Sequence, residues 1–246
     1  MSKPFQYTNQ ACQALEKAIS PSRLAKYLSK FDNNRESALK LYHWNSELSQ
    51  AMTFPLHMLE VCIRNAVSEG IHICFGDQWY SDSGFKFILD DYWEAKLEEA
   101  VSKKTQKAVD RSKRLSSGDI ISELTFGFWR ELLKAEYEKH IWKKLGPSGC
   151  AVLLEVFPDL PVGKRRQDIY NNVDRLVKLR NRISHHEPIY ERFLQNNYNE
   201  AAETIGWISP DTKKWIGCHS NFLDVWSRKS QVIPRRPVEK PKLKQR

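Results

Sequence analysis

The sequence predicts an all-α protein, and three observations carry that prediction. Glycine is scarce, ten in 246 residues, so turn punctuation is sparse. Apolar residues recur at three- and four-residue spacing through several long runs. No stretch sustains the alternation expected of a half-buried strand. The length suits one large domain with its own core, placed at 1–230, followed by a basic proline-rich tail at 231–246. A hydrophobic share of 41% and a charged share of 28% are ordinary for a soluble globular chain. Eight tryptophans are expected to fill the core, with stacking platforms as the lesser reading.

Taken in order, residues 9–30 read as two short helices parted near Pro21, where Ser20 and Ser22 offer capping oxygens. Asp32–Asn34 form a turn. Residues 35–51, RESALKLYHWNSELSQA, read as a helix with Leu39, Tyr42, Leu48 and Ala51 among its apolar positions. A stronger helix is expected over 55–74, with Pro55 in its first turn and Leu56, Leu59, Ile63, Val67 and Ile71 on one seam. Glu60 and Arg64 lie on or beside that seam, four apart, and can pair. They read either as an internal salt bridge or as support behind an active site.

A loop at Gly76–Gly84 carries Trp79 and Tyr80. Residues 90–114 then read as a long helix ending in Lys103, Lys104, Lys107, Arg111, Lys113 and Arg114. That cluster is either a solvated charged face or an RNA-facing patch. A new segment begins at Ser117–Asp119. Residues 125–142, TFGFWRELLKAEYEKHIW, read as one aromatic-rich helix with Phe128, Leu132, Leu133 and Trp142 inward, broken at Gly146–Gly149. A short apolar run at 150–157 stops at Pro158. A second long helix is expected over 164–185, and terminal helices over 197–208 and 211–228.

The net charge of +9 is unevenly spread. Residues 228–246 hold eight basic residues against Glu239 alone, which accounts for seven of the nine charges. The body is therefore near neutral, and the tail is either a solubilising segment or a nonspecific phosphate contact. Five scattered cysteines, none in a CxxC pair, fit neither a disulfide framework nor a zinc site. No stretch resembles a leader or a membrane span, so a cytoplasmic protein with no membrane partner is expected.

The chemistry concentrates in LVKLRNRISHHEPI, residues 176–189. On a helical wheel Ile169, Val173, Leu176 and Ile183 share a stripe, and Arg180 falls in its middle. An unpaired guanidinium in an apolar stripe costs several kcal/mol or more. Arg180 therefore needs either an acidic partner, for which Glu60 is a candidate, or a stripe that faces a second subunit across a polar cleft. His185 lies about 140° from Arg180 on an ideal helix, whereas Asn181 and His185 share a face. Pro188 disfavours helical geometry at Glu187, so the helix should end near His185 and His186. A histidine, a guanidinium and an amide suit phosphate chemistry: proton transfer to or from ribose oxygens, and a fork for a phosphoryl oxygen. No carboxylate cluster suited to magnesium is evident, which favours a mechanism without metal or other cofactor. A simple helix cap would also account for the histidine pair.

Arg180, Asn181 and His185 fit the R-x(4–6)-H signature of the HEPN superfamily, and LRNRISHHEPI resembles the signature of its Abi-like, abortive-infection group. LYHWNSELSQAM at 41–52, LEVCIRNAVSEGI at 59–71 and FGFWRELL at 126–133 are similar to that group in the same order, so the resemblance spans roughly 35–195. It implies a HEPN-like helical bundle with added N- and C-terminal helices. It also implies a homodimer in which two motifs meet to form one metal-independent ribonuclease site. Arg180, Asn181 and His185 would then be catalytic, with His186, Arg182, Glu60 and Arg64 in supporting roles; from charge alone, Lys103, Lys104, Lys107 and Arg111 are the candidate RNA contacts. The implied setting is phage defence or toxicity, with an antitoxin or regulatory protein as a further partner. The alternatives are a noncatalytic RNA-binding or regulatory module and a purely structural helical protein.

Overall fold

The computed structural model describes residues 5–110, 112 and 114–233. Among them the chain is 73% helical, with thirteen α-helices and no strand. Arg111, Lys113 and the tail from 234 onward lie outside the described residues.

Short helices α1 (Asn9–Ile19) and α2 (Pro21–Leu28) meet at Ser20, whose hydroxyl accepts the Arg23 N–H at 3.4 Å. Then comes α3, a single helix from Arg35 to Phe75. The sequence pattern had placed two helices there, the second starting at Pro55. Pro55 instead sits inside one 41-residue helix. Proline removes one i→i−4 hydrogen bond. Burial of Ala51, Met52, Leu56 and Leu59 on the turns around it offsets that single loss.

The Gly76–Gly84 stretch holds a 3₁₀ turn at Trp79–Ser81 and the start of α4 (Ser83–Ile88), with Trp79 and Tyr80 buried. After α5 (Asp91–Asp110) comes α6 (Ser117–Glu123), opened by a reciprocal Ser116–Asp119 capping box. The expected helix over 125–142 is broken. α7 covers only Phe126–Glu131, followed by a 3₁₀ turn at Ala135–Tyr137 and a π turn at Glu138–Trp142. The reason lies in two carbonyls. Trp142 Nε1 donates to the Leu132 oxygen at 2.7 Å, and an Arg166 Nη1–H donates to the Leu133 oxygen. These side chains satisfy acceptors that a continuing helix would have used. The inward residues are as expected, with Phe128, Leu132, Leu133 and Trp142 all buried.

The remaining helices are α8 (Val152–Val156), α9 (Arg166–Ser184), α10 (Leu194–Gly206), α11 (Pro210–His219), α12 (Phe222–Ser227) and α13 (Lys229–Val232). Contacts divide the chain into two compact units. One gathers the chain up to Ala51, Pro188–Arg192 and the chain from Asn221. Its core holds Leu24, Tyr27, Trp44, Ile189 and Phe222, and Trp44 Nε1 donates to the Val225 carbonyl at 3.0 Å. Asn45, also buried, accepts the backbone N–H groups of Ile189 and Tyr190 at 2.8 and 3.2 Å.

The other unit comprises Met52–Glu187 and Phe193–Ser220. The Leu56–Ile71 seam of α3 is fully buried there, as are Trp79, Trp129 and Trp142. Gly70 makes room on α3 for the Trp142 ring: a Cβ at that position would stand 3.0 Å from Trp142 Cζ3. α9 packs against α7 and α10, and α10 against α11.

Candidate functional site at the end of helix α9

Every candidate motif residue lies on or just beyond α9, and the helix treats its two ends differently. At the start, Asp168 accepts the Arg165 N–H at 2.9 Å, and that bond, helped by Lys164, holds its carboxyl below the ordinary range. Arg166 is buried. Besides its bond to Leu133, its Nη2 donates to Gln167 Oε1 at 2.9 Å, and its Nε lies 3.6 Å from Glu138 Oε2. Ile169, Val173 and Leu176 follow on the same stripe with no exposure. Arg166 was not singled out from the sequence, although its spacing places it on that stripe.

Ion pairs and hydrogen bonds fix the flanks. Asp174 takes Arg130 of α7 at 3.3 Å and Lys178 at 2.6 Å. On the other side Asn172 donates to Thr204 at 3.1 Å and Arg175 pairs with Glu200 at 3.1 Å, both on α10. The register of α9 against α7 and α10 is thereby set by several directional contacts as well as by the apolar stripe.

Toward its end the stripe opens. Ile183 is only partly buried, and the Arg180 side chain is 43% exposed. Arg180 Nη2 lies 3.5 Å from Glu60 Oε2 on α3. Glu60 is therefore the acidic partner, as the wheel argument allowed. The i,i+4 alternative gives way: Arg64 Nε donates to Asn65 Oδ1 at 3.5 Å, and the carboxylate of Glu60 is paired with Arg180. The expected conflict between charge and oil is milder than the wheel suggested, because Arg180 keeps contact with solvent.

The helix ends as a Schellman motif. The His186 N–H reaches the Ile183 carbonyl at 3.0 Å and the Glu187 N–H reaches that of Arg182 at 2.9 Å. His186 adopts φ +55°, the left-handed conformation that this motif usually gives to glycine. The contact between the residues that close the motif is commonly apolar. Here it is ionic, Arg182 Nη1 to Glu187 Oε2 at 3.0 Å. Asn181, His185 and His186 are exposed. Helical geometry persists through Ser184, so within one chain Arg180 and His185 stay on different faces while Asn181 and His185 share one.

Of the candidate RNA contacts, Lys103 and Lys104 both engage Glu123 of α6, the latter at 3.3 Å, and Lys104 also reaches Ser122 at 3.0 Å. The hydrogen bond to Glu123 raises the Lys103 ammonium above its ordinary value. Lys107 is exposed. Among the described residues no three His, Cys, Asp or Glu side chains gather into a metal-holding group, and no helix is long and apolar enough to cross a membrane.

No curated protein and no solved structure matches this chain. A family model described as Abi-like protein matches residues 11–191, which run from within α1 past the end of α9 and hold the whole 176–189 stretch, and the chain belongs to that family.

Proposed function

We propose that the protein is a metal-independent endoribonuclease of the HEPN type, acting in abortive infection against phage or as a growth-arresting toxin. The family membership supports the setting. The observation that carries the chemistry is the open end of α9. A half-exposed Arg180 is held at a single nitrogen by Glu60, and Asn181 and an exposed His185 follow at a capped helix terminus. The rest of the guanidinium fork is available to a phosphoryl oxygen.

Because Arg180 and His185 face apart within one chain, the active form is a homodimer in which two motifs share one site. One His185 takes the proton from a ribose 2′-hydroxyl. The 2′-oxygen then attacks phosphorus, the bond to the 5′-oxygen breaks, and the second imidazole returns a proton to the leaving oxygen. A 2′,3′-cyclic phosphate and a 5′-hydroxyl result. Arg180 neutralises charge on the phosphoryl oxygens as it builds, and Asn181 donates to one of them. An antitoxin or regulatory protein is the natural partner for such an activity.

The test is cleavage of RNA in EDTA by the wild type, Arg180→Ala and His185→Ala. Each substitution should lower the rate about a hundredfold or more. Equal cleavage by all three removes the assignment. The divergent faces of Arg180 and His185 also favour a second reading, a noncatalytic RNA-binding or regulatory module. On that reading no variant cleaves, and all bind RNA alike with steep salt dependence.

A further inference from the structure

A cleft of about 280 Å³ lies between α5 and the turn from α6 into α7. One wall is aromatic. Tyr92 is 59% exposed and its ring stands edge-on to Trp93 at 4.8 Å, and Trp93 in turn meets Phe128 at 5.9 Å. Gly127 allows this closeness, since a Cβ there would stand 3.3 Å from Trp93 Cη2. Lys96 and Lys103 line the cleft on the same helix as Tyr92. Their present partners are carboxylates that line the same cleft, the exposed Glu99 at 2.7 Å from Lys96 and, on Lys103, the 20% exposed Glu123. The solvated Lys96–Glu99 pair contributes little, so a phosphate can displace it, and Glu123 retains Lys104 at 3.3 Å when Lys103 turns to a ligand. Stacking of a base on an exposed ring contributes far more, about tenfold or more in affinity.

We propose that this cleft is a strand-binding subsite, in which Tyr92 stacks one unpaired base of RNA and Lys96 and Lys103 each hold one backbone phosphate of the strand. The proposal rests on the reading of the protein as RNA-directed, but it uses none of the residues assigned to cleavage. An anionic ligand with a flat ring meets the exposed Tyr92 on one side and, one and three turns along the same helix, two ammonium groups whose partners Glu99 and Glu123 also line the cleft and are exchanged for phosphate.

The test is fluorescence anisotropy of a labelled eight-nucleotide oligoadenylate with the full chain, at several salt concentrations, with a duplex of equal length as comparison. Tyr92→Ala should weaken single-strand binding about tenfold, and Tyr92→Phe should bind like the wild type. Duplex binding should be indifferent to both. Combining Lys96→Ala with Lys103→Ala should lower the salt slope by about 1.4, two phosphates' worth for a single strand. Unchanged melting checks that these surface variants fold. The subsite is overturned if the wild type does not bind the oligonucleotide, if Tyr92→Ala binds as tightly, or if duplex binding falls equally. Cleavage lost in Arg180→Ala alongside wild-type binding by Tyr92→Ala removes the cleft alone. Cleavage indifferent to Arg180→Ala removes the ribonuclease reading alone.

Discussion

Arg166 and Arg180 stand fourteen residues apart on α9, close to four helical turns, and so on nearly the same side. The first is sealed, with a carbonyl, an amide oxygen and a carboxylate around its guanidinium. The second is half in water, with one carboxylate at 3.5 Å. The same residue type on the same stripe serves two ends. A buried guanidinium surrounded by acceptors is spent on structure, because every donor it turns elsewhere would leave a cost behind. A guanidinium with one long contact keeps donors for something that arrives later.

Substitution should separate the two most sharply. Arg166→Ala should cost about 3 kcal/mol of stability, since it strands a buried carbonyl and opens the α7–α9 contact. Arg180→Ala should cost less than about 1 kcal/mol, in keeping with a largely solvated pair. Urea denaturation of both checks this, and similar losses at the two positions would break the contrast.

The contrast also marks what was legible in the sequence. The helical class, the Ser20–Pro21 break, the buried α3 seam and the helix end near the histidines all follow from local pattern. Glu60 as a partner for Arg180 was within reach of the wheel argument. The Arg166 environment was not, because its partners Leu133 and Glu138 are set by how α7 ends. That ending depends in turn on Trp142 and Arg166 capturing carbonyls, a long-range exchange that a periodic aromatic run conceals. Pro55 misled in the opposite direction: a residue that usually opens a helix sits inside one whose neighbours are buried on both sides of it.

Smaller effects sharpen the comparison further. Glu60→Gln should shift stability by less than about 1 kcal/mol, measured by the same denaturation, because the pair it breaks is exposed on the arginine side. His186→Gly should gain about 0.5 kcal/mol in melting experiments, by relieving the left-handed backbone while keeping the cap. At the opposite end of α9, Asp168 has a folded-state pKa below its unfolded value. Its contribution is full above the ordinary carboxylate range and is lost as pH falls through the lowered value. Thermal melts of Asp168→Asn and the wild type should therefore differ at neutral pH and converge in acid.

The closure of the helix beside the histidines is made by opposite charges where an oily contact is usual. Both partners are partly solvated, at 31% and 45%, so dissolved ions weaken the clasp between them. Rising ionic strength should then loosen the last turn of α9 and speed amide exchange at His186 and Glu187, leaving the imidazoles less firmly aimed even where the fold itself is untouched.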